Sequence, residues 1–136
     1  MLTRKTLSLA DAKTIAAAAS KKAQAEKWTV VIAIFDNGGN LIYLERADGT
    51  QTGSIQVAQA KGLTALRFKR PTKALEDAVL SGKVHMTTLP GIVPVEGGLP
   101  LIKDDEIVGS IGVSGVMSNQ DGQVAAAGAE ALASLS

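Results

Sequence analysis

The chain has 136 residues, of which 46% are apolar, and a formal net charge of +1 with acidic and basic residues mixed. This length predicts a single domain over residues 1–136 with a sizeable core, and the charge balance argues against a nucleic-acid partner or an anionic membrane surface. The chain has no cysteine, which excludes disulfides, thiolate metal sites and a thiol nucleophile.

The N-terminal sequence MLTRKTLSLADAK bears on location. It lacks an apolar stretch of signal-peptide length, and no run of apolar residues long enough to cross a bilayer follows it. We therefore expect a cytoplasmic protein that does not enter a membrane.

The first predicted element is a helix over about residues 8–26. Ser8 is a suitable N-cap residue, and Asp11 follows three positions later, as in a capping box. Alanine and isoleucine residues then recur at helical spacing. These features predict a helix with one apolar face.

A β-hairpin is predicted next. Residues from Trp28 to Phe35 are apolar and mostly β-branched, which is typical of a buried strand. The sequence DNGGN, residues 36–40, supplies the Asn and Gly residues of a tight turn. Leu41 to Arg46 then forms the return strand.

The middle of the chain predicts two helices. Residues 54–68 have helical periodicity, with Gly62 marking a close contact with another backbone. Pro71 ends this helix because it disfavours helical geometry at the preceding residue. Thr72 is then expected to cap a shorter helix that ends at Gly82.

The last third predicts a second hairpin and a final helix. Leu99–Lys103 and Glu106–Ser114 pair across a turn at Asp104-Asp105, and the glycines of the second strand indicate a bulge or a neighbouring backbone. A helix over about residues 119–134 ends the chain. The order α-β-β-α-α-β-β-β-α predicts an α+β fold with an antiparallel sheet of about five strands.

The stretch VHMTTLPGIVPVEGGLPLI, residues 84–102, holds three of the four prolines and the only histidine. His85 has two interpretations: a surface or helix-end residue, or a metal ligand and proton-transfer group. Haem needs only one axial protein ligand, so a single histidine is sufficient. Met86 and Met117 are alternative ligands, although methionine usually fills a core.

Other polar residues near this stretch have two interpretations as well. Glu96 is either a solvated loop acid or, if buried, a general base. Arg70 and Thr72 flank Pro71, which fixes their backbone, so they could bind a carboxylate or a propionate. Their neighbourhood has five cations, which are interpreted as a solvated face: Lys61, Arg67, Lys69, Arg70 and Lys73.

Six segments, in this order and spacing, resemble the GlcG/HbpS family of small haem-binding-type proteins, to which the C-terminal domain of PduO-type corrinoid adenosyltransferases belongs. The segments are FDNGGNLIYLERADG, AQAKGLTALRF, RPT, EGGLPL, IVGSIGVSG and NQDGQVAAAG. The resemblance runs from about residue 8 to the end. It implies a profilin/PAS-like α-β-α sandwich with helices on both faces, and a homo-oligomer from dimer to octamer. It does not identify an axial haem ligand residue by residue.

Two functional hypotheses follow. In the first, the protein binds a small molecule, haem or a similar planar or carboxylated ligand, in a pocket formed by the 84–100 loop. His85 would ligate the metal, and the other binding residues would be Arg70, Thr72, Gly97 and Gly98. No cofactor other than haem is expected.

In the second hypothesis, the protein is a cofactor-independent lyase, isomerase or hydratase acting on a carboxylated catabolic metabolite. Glu96 or His85 would move a proton, while Arg70 and the Gly97-Gly98 amides would hold the anion. The sequence leaves the question of enzymatic activity open, and we prefer the binding hypothesis.

Overall fold

The computed structural model describes residues 1–135 and has an α+β fold built on one antiparallel sheet. Four strands pair in the order β2-β1-β4-β3. They are β1 (Val31–Asp36), β2 (Leu41–Arg46), β3 (Gly98–Lys103) and β4 (Glu106–Ser114). The helices are α1 (Leu9–Glu26), α2 (Gly53–Phe68), α3 (Thr72–Leu80) and α4 (Ser118–Ala131), with short 3-10 helices at Val84–Thr88 and Leu132–Ser134.

The sheet therefore has four strands, and the prediction of about five was wrong. The chain between α3 and β3 forms the first 3-10 helix and then irregular turns. Pro90 and Pro94 lie in this segment and lack the N–H group that a strand ladder needs. Two of its amides bond to helix side chains instead: Val93 N–H donates to Thr64 Oγ1, and Glu96 N–H donates to Glu76 Oε1.

Both predicted hairpins and the first helix are confirmed. The Ser8 hydroxyl accepts from the Asp11 N–H, and the Asp11 carboxylate accepts from the Ser8 N–H, completing a capping box. The DNGGN turn is closed by Asp36 Oδ1, which accepts the N–H groups of Gly38 and Asn40. The first strand begins at Val31, three residues later than predicted, so Trp28 lies outside it.

Helices cover both faces of the sheet. Alternate residues of β1 point in opposite directions: Ile32 and Ile34 pack in the core with α1 and α4, whereas Val31, Ala33 and Phe35 pack with Ala58 of α2. Because side chains alternate across a strand, one short strand contributes to two apolar layers. None of the helices in residues 1–135 is long and apolar enough to cross a membrane.

A row of small residues lets α2 approach the sheet closely. Ala33, Gly112 and Gly98 are cross-strand neighbours on the face towards α2. A Cβ atom on Gly112 would meet the Ala58 carbonyl oxygen, and one on Gly98 would meet the Lys61 carbonyl oxygen. The glycines of β4 and Gly62 therefore mark a backbone approach, as the sequence predicted.

Candidate functional site

His85 lies on the 3-10 helix over Val84–Thr88, and its side chain is exposed. This short helix packs against α3. Apolar residues that precede His85 in the chain are also exposed, since Leu80 is 78% and Val84 is 64% accessible. The imidazole is therefore an exposed nitrogen ligand in a segment whose exposed residues are both aliphatic and polar.

Glu96 is held at a different place, against the start of α4. Its carboxylate occupies the space that a Cβ atom on Gly122 would need. Lys73 Nζ lies 3.9 Å from Glu96 Oε1, and the Glu96 side chain is 19% exposed. Glu96 is thus a partly buried acid near Lys73, and the Lys73 ammonium lies closer to Asp77, at 3.4 Å.

Thr72 and Gly98 bond to each other. Gly98 N–H donates to Thr72 Oγ1 at 2.9 Å, and the Thr72 hydroxyl lies 3.3 Å from the Gly98 carbonyl oxygen. Both residues are buried. Thr72 is the first residue of α3 and makes no capping bond, so the prediction that its side chain caps this helix was wrong. Its hydroxyl instead joins the start of α3 to the start of β3.

Gly97 lies directly above a buried lysine. Its φ of +135° favours glycine, and a Cβ atom there would be 2.6 Å from the Val113 carbonyl oxygen and 2.9 Å from Lys61 Nζ. The Gly97 carbonyl accepts the Val113 N–H. The Gly97-Gly98 pair is thus packed between α2 and β4, and the Gly98 amide is already bonded to Thr72.

Arg70 is exposed and follows the end of α2. Its Nε donates to the Phe68 carbonyl oxygen at 3.0 Å. Among residues 1–135 the Arg70 guanidinium forms no salt bridge. Arg70 is therefore an exposed cation whose Nε is already hydrogen-bonded to the backbone of its own chain segment.

The interpretation of the five cations as a solvated face was wrong for Lys61. It is buried, and its Nζ donates to Asp121 Oδ2 at 3.0 Å and to the Val113 carbonyl oxygen at 3.1 Å. Asp121 Oδ1 in turn accepts the Val116 N–H. Burial raises the pKa of Asp121, and the Lys61 ammonium partly opposes this rise. This ion pair joins α2, β4 and α4 beneath the Glu96-Gly97-Gly98 segment.

The pair of Lys61 and Asp121 was not predicted, although the sequence contains a signal for it. Lys61 lies three residues after Ala58 and four before Ala65, both of which are buried. Asp121 precedes the buried Val124 and Ala125 at the same spacings. A charge in the apolar phase of a helix indicates a buried partner.

Two surface cavities lie away from these residues. The larger is about 480 Å³ and lies between the DNGGN turn, the end of α2 and the β3–β4 turn. The smaller is about 340 Å³ and lies between the N-terminal segment and the C-terminal 3-10 helix. Neither is lined by the six site residues that the sequence predicted, and His85 and Glu96 do not share either cavity.

The sequence of this chain is similar to those of known proteins. Residues 7–130 match the family described as "Haem degrading protein HbpS-like". Protein GlcG of Escherichia coli is 40% identical over 114 residues, covering 84% of this chain and 85% of GlcG.

Solved structures agree with these sequence matches. A double mutant of Streptomyces reticuli HbpS superposes with a TM-score of 0.87 at 30% identity, covering 96% of this chain and 89% of HbpS. A PduOC complex with haem superposes with a TM-score of 0.83 at 28% identity, covering 93% of this chain and 94% of PduOC.

Proposed function

The chain belongs to the HbpS-like family, and from this we propose that it binds haem, with His85 as the axial ligand, in a homo-oligomer. The relative solved with haem, PduOC, supports the ligand. The observation in this chain that carries the proposal is the exposed imidazole of its only histidine, which directly follows the exposed Val84.

Exposed residues of this chain fit three requirements of haem. The iron needs one protein ligand, which the exposed imidazole supplies. The macrocycle needs aliphatic contacts, which Leu80 and Val84 offer at 78% and 64% exposure. The propionates need cations, and Arg70 is an exposed arginine suited to carboxylate binding. When bound, haem would supply an iron centre with redox and ligand-binding chemistry, while this chain would orient it and exclude water from one face.

The exposure of this surface supports the homo-oligomer in the proposal. His85 and Val84 are both exposed, so one chain would contact a single face of the macrocycle. Exposed aliphatic residues grouped around a ligand are typical of a surface that another molecule covers. A second copy of the chain would enclose the other haem face and bury Leu80 and Val84.

The enzyme alternative has less support. It requires a proton-transfer group that faces a substrate cavity. Glu96 lies against Gly122 beside Lys73, and neither Glu96 nor His85 lines either cavity. The Gly98 amide, which was to hold the anion, donates to Thr72.

A hemin titration tests the proposal. Purified protein should give a saturable Soret shift, and size-exclusion chromatography with light scattering should show haem in a species larger than one chain. The variant His85→Ala should lose the saturable shift. Thr87→Ser, a conservative change in the same 3-10 helix, should retain it. Either no saturable shift in the wild type, or equal binding by His85→Ala, would refute the proposal.

A further inference from the structure

The cavity of about 480 Å³ has a charge pattern that haem binding at His85 does not use. Three cations line it: Arg4 from the N-terminal segment, Arg67 from the last turn of α2, and Lys69 from the end of that helix. Within the described residues, these three side chains form no salt bridge. Cations that line a cavity and form no salt bridge favour an anion.

The two acids that line the same cavity only partly offset the cations. Asp105 and Glu106 line the same cavity, so three positive and two negative charges leave a net of +1. The Glu106 carboxylate accepts the Lys5 N–H at 3.1 Å and is thereby directed to the N-terminal segment. The cations at this cavity therefore outnumber its acids by one.

The other residues that line the cavity indicate what kind of anion would fit. Leu66 and Ile107 add aliphatic surface, and the volume is within the range of about 300–1,000 Å³ that small-molecule sites occupy. The N–H groups of Gly38 and Gly39 are bonded to Asp36, so the DNGGN turn forms a rigid wall and contributes no free donor from these two amides. Side chains, rather than a backbone phosphate loop, would therefore hold the ligand.

We propose that this cavity, which we call the basic cavity, binds a small organic molecule through an oxyanion group, a phosphate or a carboxylate, independently of haem. Arg67 and Arg4 would bond the oxyanion, because guanidinium groups match both anions in geometry. Lys69 would add charge at the rim, and Leu66 and Ile107 would contact the apolar part of the molecule.

Isothermal titration calorimetry at constant ionic strength tests the proposal, with inorganic phosphate and succinate as separate probes. We expect one of them to bind saturably, and the tighter probe identifies the anion class. Arg67→Gln should weaken that binding by at least about tenfold, since a charged hydrogen bond is lost. Arg46→Gln is the matched control because Arg46 is an exposed arginine outside this cavity.

The variant Asp105→Asn tests the same proposal through an expected gain, rather than a loss, of affinity for the probe. Asp105 has a φ of +63°, which asparagine tolerates, so the turn should be kept while an acid that opposes the anion is removed. This variant should bind the probe more tightly than the wild type, and Arg67→Gln should still bind hemin. The proposal is overturned if neither probe binds, or if Arg67→Gln and Arg46→Gln have the same affinity as the wild type.

Discussion

Lys61 and Asp121 form a salt bridge of 3.0 Å in which each side chain is only 2% exposed. The pair connects helices on opposite faces of the sheet, since α2 covers one face and α4 the other. Lys61 also donates to the Val113 carbonyl oxygen of β4. One buried contact therefore fixes how three elements meet beneath the Glu96-Gly97-Gly98 segment.

Removing one partner of this pair should be costly. Lys61→Met leaves the Asp121 carboxylate buried without its ammonium, and we predict a loss of about 3–5 kcal/mol in the free energy of unfolding. The double variant Lys61→Met/Asp121→Leu should recover most of this loss because no isolated charge is left. Urea denaturation measures all three proteins.

The exposed pair of Lys22 and Glu26 provides the control, since its nitrogen-oxygen distance is similar at 3.1 Å. Lys22→Met should change the unfolding free energy by no more than about 0.5 kcal/mol. If Lys61→Met costs no more than Lys22→Met, the buried pair does not hold the fold as we describe.

Asp121 should give stability a distinctive pH dependence. Burial raises its pKa above the ordinary value of 3.8, so the folded state binds more protons than the unfolded state between these two values. The contribution of Asp121 to the unfolding free energy should therefore fall as pH rises through this window. We predict that the stability difference between wild type and Asp121→Asn falls from pH 3.8 upwards and levels off above the raised pKa.

Asp104 should show the opposite trend. The hydrogen bond from Lys5 lowers the pKa of Asp104 below 3.8, so its contribution is present above that value and is lost as pH falls through the lowered pKa. The difference between wild type and Asp104→Asn should rise with pH and level off near pH 3.8. Two differences that change with pH in the same direction would contradict these assignments.

Gly112 is predicted to be intolerant of a side chain. A Cβ atom there would meet the Ala58 carbonyl oxygen and lie 2.6 Å from the Gly62 nitrogen, so Gly112→Ala should push α2 off the sheet and cost about 1–3 kcal/mol. Gly53→Ala is the control, since no atom lies within 4 Å of the added carbon. Thermal unfolding should separate the two variants, and equal midpoints would be inconsistent with the close approach.

Thr72 is predicted to stabilise the fold through its hydroxyl. Thr72→Val keeps the shape but leaves the buried Gly98 N–H without its acceptor, at a cost of about 1–3 kcal/mol. Thr14→Val removes an exposed hydroxyl that bonds only to the Ala10 carbonyl in its own helix, and should cost about 0.5 kcal/mol or less. Equal unfolding free energies for these two variants would show that the link between α3 and β3 contributes nothing.

Much of the fold could be predicted because its signals are local. The capping box at Ser8, the DNGGN turn and the Asp104-Asp105 turn each depend on residues that are close in sequence. Periodicity then placed the helices within a few residues. The strand count was wrong because Pro90 and Pro94 remove donors from a segment whose apolar composition resembles that of a strand.

The site was harder to predict because its contacts are distant in sequence. Lys61 and Asp121 are 60 residues apart, and Thr72 meets Gly98 across 26 residues. Composition shows only that Lys61 belongs to a group of cations, whereas its helical phase between Ala58 and Ala65 is the signal that it is buried. The packing roles of Thr72 and Gly98 depend on the way α2 and α3 cross the sheet, which no local pattern specifies.

The ligation of haem iron by His85 is the central claim, and the absorption spectrum of the hemin complex with rescue by free imidazole tests it most directly. We predict that wild type gives a histidine-ligated Soret band, that His85→Ala loses it, and that added imidazole restores it in His85→Ala because the apolar surface at Leu80 and Val84 is intact. His85→Met should give a band of different position, since a thioether replaces the imidazole. A His85→Ala complex with the wild-type spectrum in the absence of imidazole would contradict the account.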